Sequence, residues 1–266
     1  MSYVGGIGGK NAYANWENIT INVDETSFIT ANSTENGTAY RTYVGGVVGF
    51  NGEGGHTFKN ITSNINVEGS TCDVGGLFGI AHYGNQFVNC VCTGNVEIYA
   101  AEEVDEAQEI GGIAGVWHNE TGYSVTMEDC SFTGTLETNI EGVAFYYNGL
   151  VGKPYGNGEG KLIIDGAIYV ASATELEKVA NAATEATTIK FGTNLNGNIT
   201  IVQKEGVDLT IDGASKKYDG IITVNGAGRS SGAEKLTFDN INFETTWSDT
   251  DKNNDWSFIS APSKIN

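Results

Sequence analysis

A seven-residue block, Tyr3-Val4-Gly5-Gly6-Ile7-Gly8-Gly9, recurs along this chain of 266 residues, and that recurrence constrains its fold more than any other feature. The block returns as Tyr43-Val44-Gly45-Gly46-Val47-Val48-Gly49, as Asp73-Val74-Gly75-Gly76-Leu77-Phe78-Gly79 and as Glu109-Ile110-Gly111-Gly112-Ile113-Ala114-Gly115. A degenerate copy is Tyr147-Asn148-Gly149-Leu150-Val151-Gly152. The second glycines, at 6, 46, 76, 112 and 149, set steps of 40, 30, 36 and 37 residues. Each copy is followed by a second block: Trp16-Glu17-Asn18-Ile19, Phe58-Lys59-Asn60-Ile61, Phe87-Val88-Asn89-Cys90, Met127-Glu128-Asp129-Cys130 and Leu162-Ile163-Ile164-Asp165. A unit so short cannot bury its own apolar side, so the units must stack. Short apolar runs with no helical period make the stacked element a strand, with coils ~4.8 Å apart.

Alternation along each strand then assigns faces. Val4, Val44, Val74 and Ile110 are expected to form one inward ladder, and Ile7, Val47, Leu77, Ile113 and Leu150 to continue it or form another. The 37 glycines fit corners that need positive φ or a close approach between coils. With only 2 prolines, the chain keeps the backbone N–H groups that such stacks require.

These units resemble the GLUG motif of bacterial surface proteins and adhesins, with the literal pattern in Gly149-Leu150-Val151-Gly152 and Gly76-Leu77-Phe78-Gly79. The resemblance covers roughly residues 3–166. It implies a repetitive β architecture and a bacterial surface context, and it carries no active site with it.

The pattern changes at Ser172. Ser172-Ala173-Thr174-Glu175 is a capping box, and Leu176, Val179, Ala180 and Ala183 follow helical spacing. A short amphipathic helix is predicted over 173–184, then strands over 187–191, 198–202, 209–211, 221–224 and 236–243. The helix, with Leu209-Thr210-Ile211-Asp212-Gly213 and the run from Leu236 to Phe243, resembles the start of a pectate-lyase-like right-handed β-helix, in which a helix often caps the first coil. The predicted fold class is therefore all-β: a right-handed parallel β-helix, or β-solenoid, with one short helix. Two domains are expected, the repeats over 1–168 and a helix-capped second segment over 169–266. Met1-Ser2 runs straight into a repeat with no export signal before it, which reads as a fragment of a longer protein.

Charge narrows the function classes. There are 14 Lys and Arg against 33 Asp and Glu, a formal net charge of -19, which leaves no positive face for nucleic acid. No apolar run approaches the ~20 residues of a membrane helix, so no membrane insertion is expected. Four cysteines are too few for a disulfide scaffold. Cys90 and Cys130 align with Ile19 and Ile61, which makes buried thiols the expectation. A bridge between neighbouring coils is sterically conceivable, and Cys92 can share the face of Cys90.

Candidate binding residues sit in the loops after the glycine blocks. The histidines His56, His82 and His118 each follow a block, and Tyr13, Trp16, Tyr83, Trp117 and Tyr155 occupy the same loops. Equivalent loops of stacked units fall on one side. Flat rings there would stack on sugars, while His and Asn hydrogen-bond hydroxyls. The partner expected is a glycan or host-surface component. The competing reading is that these rings cover the flank of the stack. A three-histidine metal site is disfavoured by the unequal loop lengths. Asp249, Asp251, Asn253 and Asp255 alternate as calcium ligands do, although Asn254 replaces the turn glycine and Ser260 the bidentate Glu. No cofactor is expected apart from that calcium candidate. No catalytic residues are assigned, because Asp212 and Asp239 occupy turn positions that backbone capping explains. The expected role is a non-enzymatic, extracellular or cell-surface adhesin-like module. The alternatives are a carbohydrate-active lyase or hydrolase fragment, and a purely structural stalk or phage fibre segment.

Overall fold

The structure is a computed structural model that describes residues 2–32, 42–52, 54–70, 72–99, 108–141, 143–156, 158–226, 234–244 and 259–260. The described residues are all-β apart from one α-helix and one 3-10 turn, and their strands lie in parallel sheets. It divides into two compact units, 1–165 and 166–266.

In the first unit each repeat places its strands in different parallel stacks. The first stack holds Ser2–Gly5, Thr42–Gly45, Asp73–Gly75 and Ile110–Gly111. The second holds Gly8–Asn11, Val48–Asn51, Phe78–Ala81, Ala114–His118 and Pro154–Tyr155. The third holds Trp16–Ile21, Thr57–Ser63, Gln86–Cys92, Ser124–Glu128 and Lys161–Ile164. The fourth holds Phe28–Asn32, Asn66–Ser70, Val96–Tyr99 and Leu136–Thr138. Register follows the repeat: Val4 pairs with Val44, Val44 with Val74, and Val74 with Ile110. The second expected ladder also forms. Ile7 N donates to Val47 O at 3.0 Å, Val47 N to Leu77 O at 2.9 Å, Leu77 N to Ile113 O at 3.1 Å and Ile113 N to Leu150 O at 2.8 Å. Val47, Leu77 and Ile113 are fully buried, whereas Ile7 in the first coil is 52% exposed.

Apolar residues fill the space between stacks. Val44, Val74 and Ile110 of the first stack meet Val67, Val96 and Ile98 of the fourth. Phe58 and Phe87 of the third stack lie parallel, 5.2 Å apart, and both meet Phe78 of the second.

The repeated glycines do one of the two jobs expected of them. Of those in the five blocks, only Gly149 has a positive φ. Most of the others bring backbone against backbone, as a Cβ on Gly45 would stand 2.7 Å from both Gly79 N and Leu77 O, while Gly8 and Gly112 face the rings of Trp16 and Phe132. The left-handed corners belong instead to the second block. Asn18, Asn60, Asn89, Asp129 and Asp165 all have φ between 48° and 59°. Asn and Asp tolerate that conformation better than other side-chain-bearing residues. Their side chains also join the coils, Asn60 Nδ2 donating to Asn18 Oδ1 and Asn89 Nδ2 to Asn60 Oδ1, each at 2.9 Å.

The second unit forms three parallel stacks: Ala167–Val170, Thr187–Phe191, Leu209–Asp212 and Leu236–Asp239; Leu195–Asn196, Lys217–Asp219 and Asn242–Phe243; and Ile199–Gln203, Ile222–Gly226 and Ile259–Ser260. The predicted strand over 236–243 is broken in two because Asn240 turns left-handed at φ 49°. The helix runs Ala173–Ala182. Ser172 Oγ accepts from Glu175 N at 3.1 Å, and Glu175 Oε2 accepts from Ala171 N at 2.7 Å, which satisfies amides at the helix entrance. Ala173, Leu176 and Ala180 are buried. On the same helix, Glu177 accepts from Thr200 N at 2.7 Å, and Asn181 accepts from Val202 N at 2.7 Å and donates to Thr200 O at 2.8 Å. The helix thereby satisfies three backbone groups, Thr200 N, Thr200 O and Val202 N, on the outer edge of the Ile199–Gln203 strand, where bare groups invite unwanted pairing. Among the described residues no helix is long and apolar enough to cross a membrane.

Candidate functional site

The candidate site lies at the turn between the second and third stacks of the first unit. Ala81 pairs with Trp117, Trp117 with Pro154 and His118 with Tyr155. Residue 82 therefore stands beside 118, and 118 beside 155, as consecutive steps of one ladder. His118 Nδ1 lies 3.0 Å from His82 Nε2, hydrogen-bond distance between the two imidazoles, with the tautomers setting which nitrogen donates. Ring centroids are 4.6 Å apart for His82 and His118, 5.3 Å for Tyr83 and His118, and 5.5 Å for His118 and Tyr155. Tyr123 adds a further ring, 4.8 Å from Tyr83 and itself 51% exposed. His82 is buried beneath, while Tyr83, His118 and Tyr155 are half-exposed.

The other expected members go elsewhere. Trp117 is 3% exposed, and its Nε1 donates to Tyr147 Oη at 3.3 Å. Alternation turns it inward from His118, so it offers no face to a ligand, contrary to its place among the ridge residues. Trp16 pairs with Phe58 at the start of the third stack and packs over Gly8. The His56 ring turns to the first coil, with Nε2 3.1 Å from Ala12 O. Tyr13 is 74% exposed in the first coil. The three histidines thus do not converge, and among the described residues no group of three or more His, Cys, Asp or Glu is placed to hold a metal. Asp249, Asp251, Asn253 and Asp255 lie outside the described residues.

Tyr123 escaped the sequence reading because it stands five residues beyond His118, past the turn at Gly122. The available signal was the loop itself, since Thr121-Gly122-Tyr123 precedes the third-stack strand much as Tyr83-Gly84-Asn85 does. In the second unit, Asp212 Oδ1 accepts from Ala214 N at 2.8 Å and Lys190 lies 3.7 Å from its Oδ2, which is the turn-capping role expected of it.

Burial, reinforced by repulsion from His118, pushes His82 down to about 4. Burial also lowers His118, with the Glu120 carboxylate opposing. A buried neutral histidine makes stability depend on pH, because the unfolded chain takes up a proton that the folded state resists. Its contribution is complete above about pH 6.5 and is lost as pH falls from there through about 4. His82→Gln should therefore reduce the drop in melting temperature between about pH 7 and 5 relative to wild type, as followed by circular dichroism. Equal drops in the two proteins would exclude His82 as the cause.

No protein-family model, curated protein or solved structure matches the chain.

Proposed function

We propose that the chain is a non-enzymatic module of a secreted or cell-surface, adhesin-like protein, built as a right-handed parallel β-helix, which presents a loop ridge to a glycan. The single observation that carries this reading is the cluster of Tyr83, His118, Tyr123 and Tyr155, accessible rings that neighbour one another across three successive coils above the buried His82. Tyrosine faces stack on the apolar faces of pyranose rings, and their hydroxyls and the imidazoles hydrogen-bond sugar hydroxyls. The ladder register supports the same reading, because it spaces these groups at ~4.8 Å, close to the length of one sugar residue. With 5 basic and 20 acidic residues in positions 1–168, a neutral glycan fits better than a polyanionic one. The bacterial surface context rests on the resemblance to GLUG repeats.

A glycan array, run with and without calcium, tests the reading. Binding to neutral oligosaccharides is expected, and Tyr83→Ala and Tyr155→Ala should each weaken it about tenfold or more, the loss of one stacked ring. Binding that both variants retain would remove the ridge from the account. An array without any binding would favour a structural spacer.

A further inference from the structure

The third stack places two cysteines side by side. Val88 pairs with Glu128 and Val91 with Ser131, so Cys90 stands in register with Cys130 on the neighbouring coil. Neighbouring parallel strands lie ~4.8 Å apart, within the Cα separation that a disulfide bridges. The Cys130 thiol also reaches across to the strand of Cys90, donating to Phe87 O at 3.6 Å, while Cys90 donates to Phe58 O at 3.4 Å. All four cysteines are thiols in this structure. They differ in access: Cys72, Cys90 and Cys92 are buried, and Cys130 is half-exposed.

We infer that Cys90 and Cys130 form an oxidisable pair that closes into a disulfide between adjacent coils when the protein meets a low-molecular-weight disulfide. Cys130 is the entry point. Interaction with the neighbouring Cys90 thiol lowers its pKa, and its partial exposure lets the oxidant reach it. Cys90 is the resolving thiol, its pKa held up by interaction with Cys130 and by burial. The Cys130 thiolate attacks one sulfur of the small disulfide, its S–S bond breaks, and one small thiolate leaves. Cys90 then gives up its proton and attacks the Cys130 sulfur, which expels the second small thiolate. Two protein thiols are oxidised, one small disulfide is reduced to two thiols, and one protein S–S bond forms. Cys92 does not compete, because burial raises it to about 12 and its register partner is Phe132. The inference is independent of the glycan reading.

The test uses the whole chain and oxidised glutathione. After exposure, remaining thiols are alkylated and the protein is weighed intact. The expected product has lost two hydrogens, carries no glutathione and alkylates at only two cysteines. Cleavage after glutamates releases Cys130 apart from the other three cysteines, so the bridge appears as two linked peptides. Cys130→Ser and Cys90→Ser should each abolish the link, and Cys92→Ser should retain it. Glutathione retained on Cys130 in wild-type protein without a bridge would overturn the inference. So would a link that survives in Cys90→Ser. Fragmentation of the linked wild-type peptides, which places the bridge on Cys90 or on Cys72 or Cys92, decides the matter even if a serine variant fails to fold.

Discussion

Gly75→Ala should destabilise the first unit by about 3 kcal/mol or more, the upper range for overpacking. A Cβ there would fall on the Phe78 carbonyl oxygen and the Gly115 amide and would lie 2.8 Å from the Ala114 Cα. All three are backbone atoms in strands held by hydrogen bonds on their neighbours, so none can swing aside as a side-chain tip would. The first and second stacks approach so closely because glycines line both facing sides: Gly45 and Gly75 on one, Gly49, Gly79 and Gly115 on the other. One methyl group would force the stacks apart across several coils. Gly8→Ala is the matched control, since its Cβ would make only ordinary contact with the Trp16 ring at 3.4 Å. Denaturant unfolding of the two variants should give widely separated midpoints. Similar midpoints would mean that the contact between stacks yields.

The glycine repeat reveals the stacking but misassigns the corners, for a physical reason. Glycine suits both a left-handed turn and a close approach, and composition does not distinguish the two. The corners were nevertheless visible at Asn18, Asn60, Asn89, Asp129 and Asp165, where Asn or Asp recurs in every second block while the residue before it varies between Glu, Lys, Val and Ile. A polar side chain at a repeated position in such a block signals a backbone demand rather than a solvent face. The helix is legible from Ser172 and Glu175 because capping is local chemistry. The short strands Leu195–Asn196 and Lys217–Asp219 are not, because two or three residues carry no period and owe their conformation to the coil beside them. The site is legible to the same degree. Loop position brings His82, Tyr83, His118 and Tyr155 to one ridge. Whether a ring there faces out depends on a single step of alternation, and that step turns His118 outward and Trp117 inward.

Phe87→Ala should cost about 3–5 kcal/mol, the usual range for deleting a buried phenylalanine. Phe87 is fully buried, stacked on Phe58 at 5.2 Å and against Phe78 at 4.9 Å. Its other register neighbour is Met127, whose flexible thioether can fill part of the space on that side only. Phe58 and Phe78 sit on strands whose positions are fixed by hydrogen bonds on adjacent coils, so the remaining cavity cannot collapse. In stacked repeats, stability is approximately the sum of each unit and its contacts with neighbours. A defect in an interior coil therefore weakens two interfaces, whereas one in the first coil weakens a single described interface. Phe28→Ala supplies the contrast, because that ring is 59% exposed in the first coil and should change stability by only about 0.5 kcal/mol. Chemical denaturation of both variants checks the pair. A Phe87→Ala loss below about 1.5 kcal/mol would show that the coils can shift to close the cavity. The same freedom would relieve the Gly75→Ala clash, so the two large effects must stand or fall together.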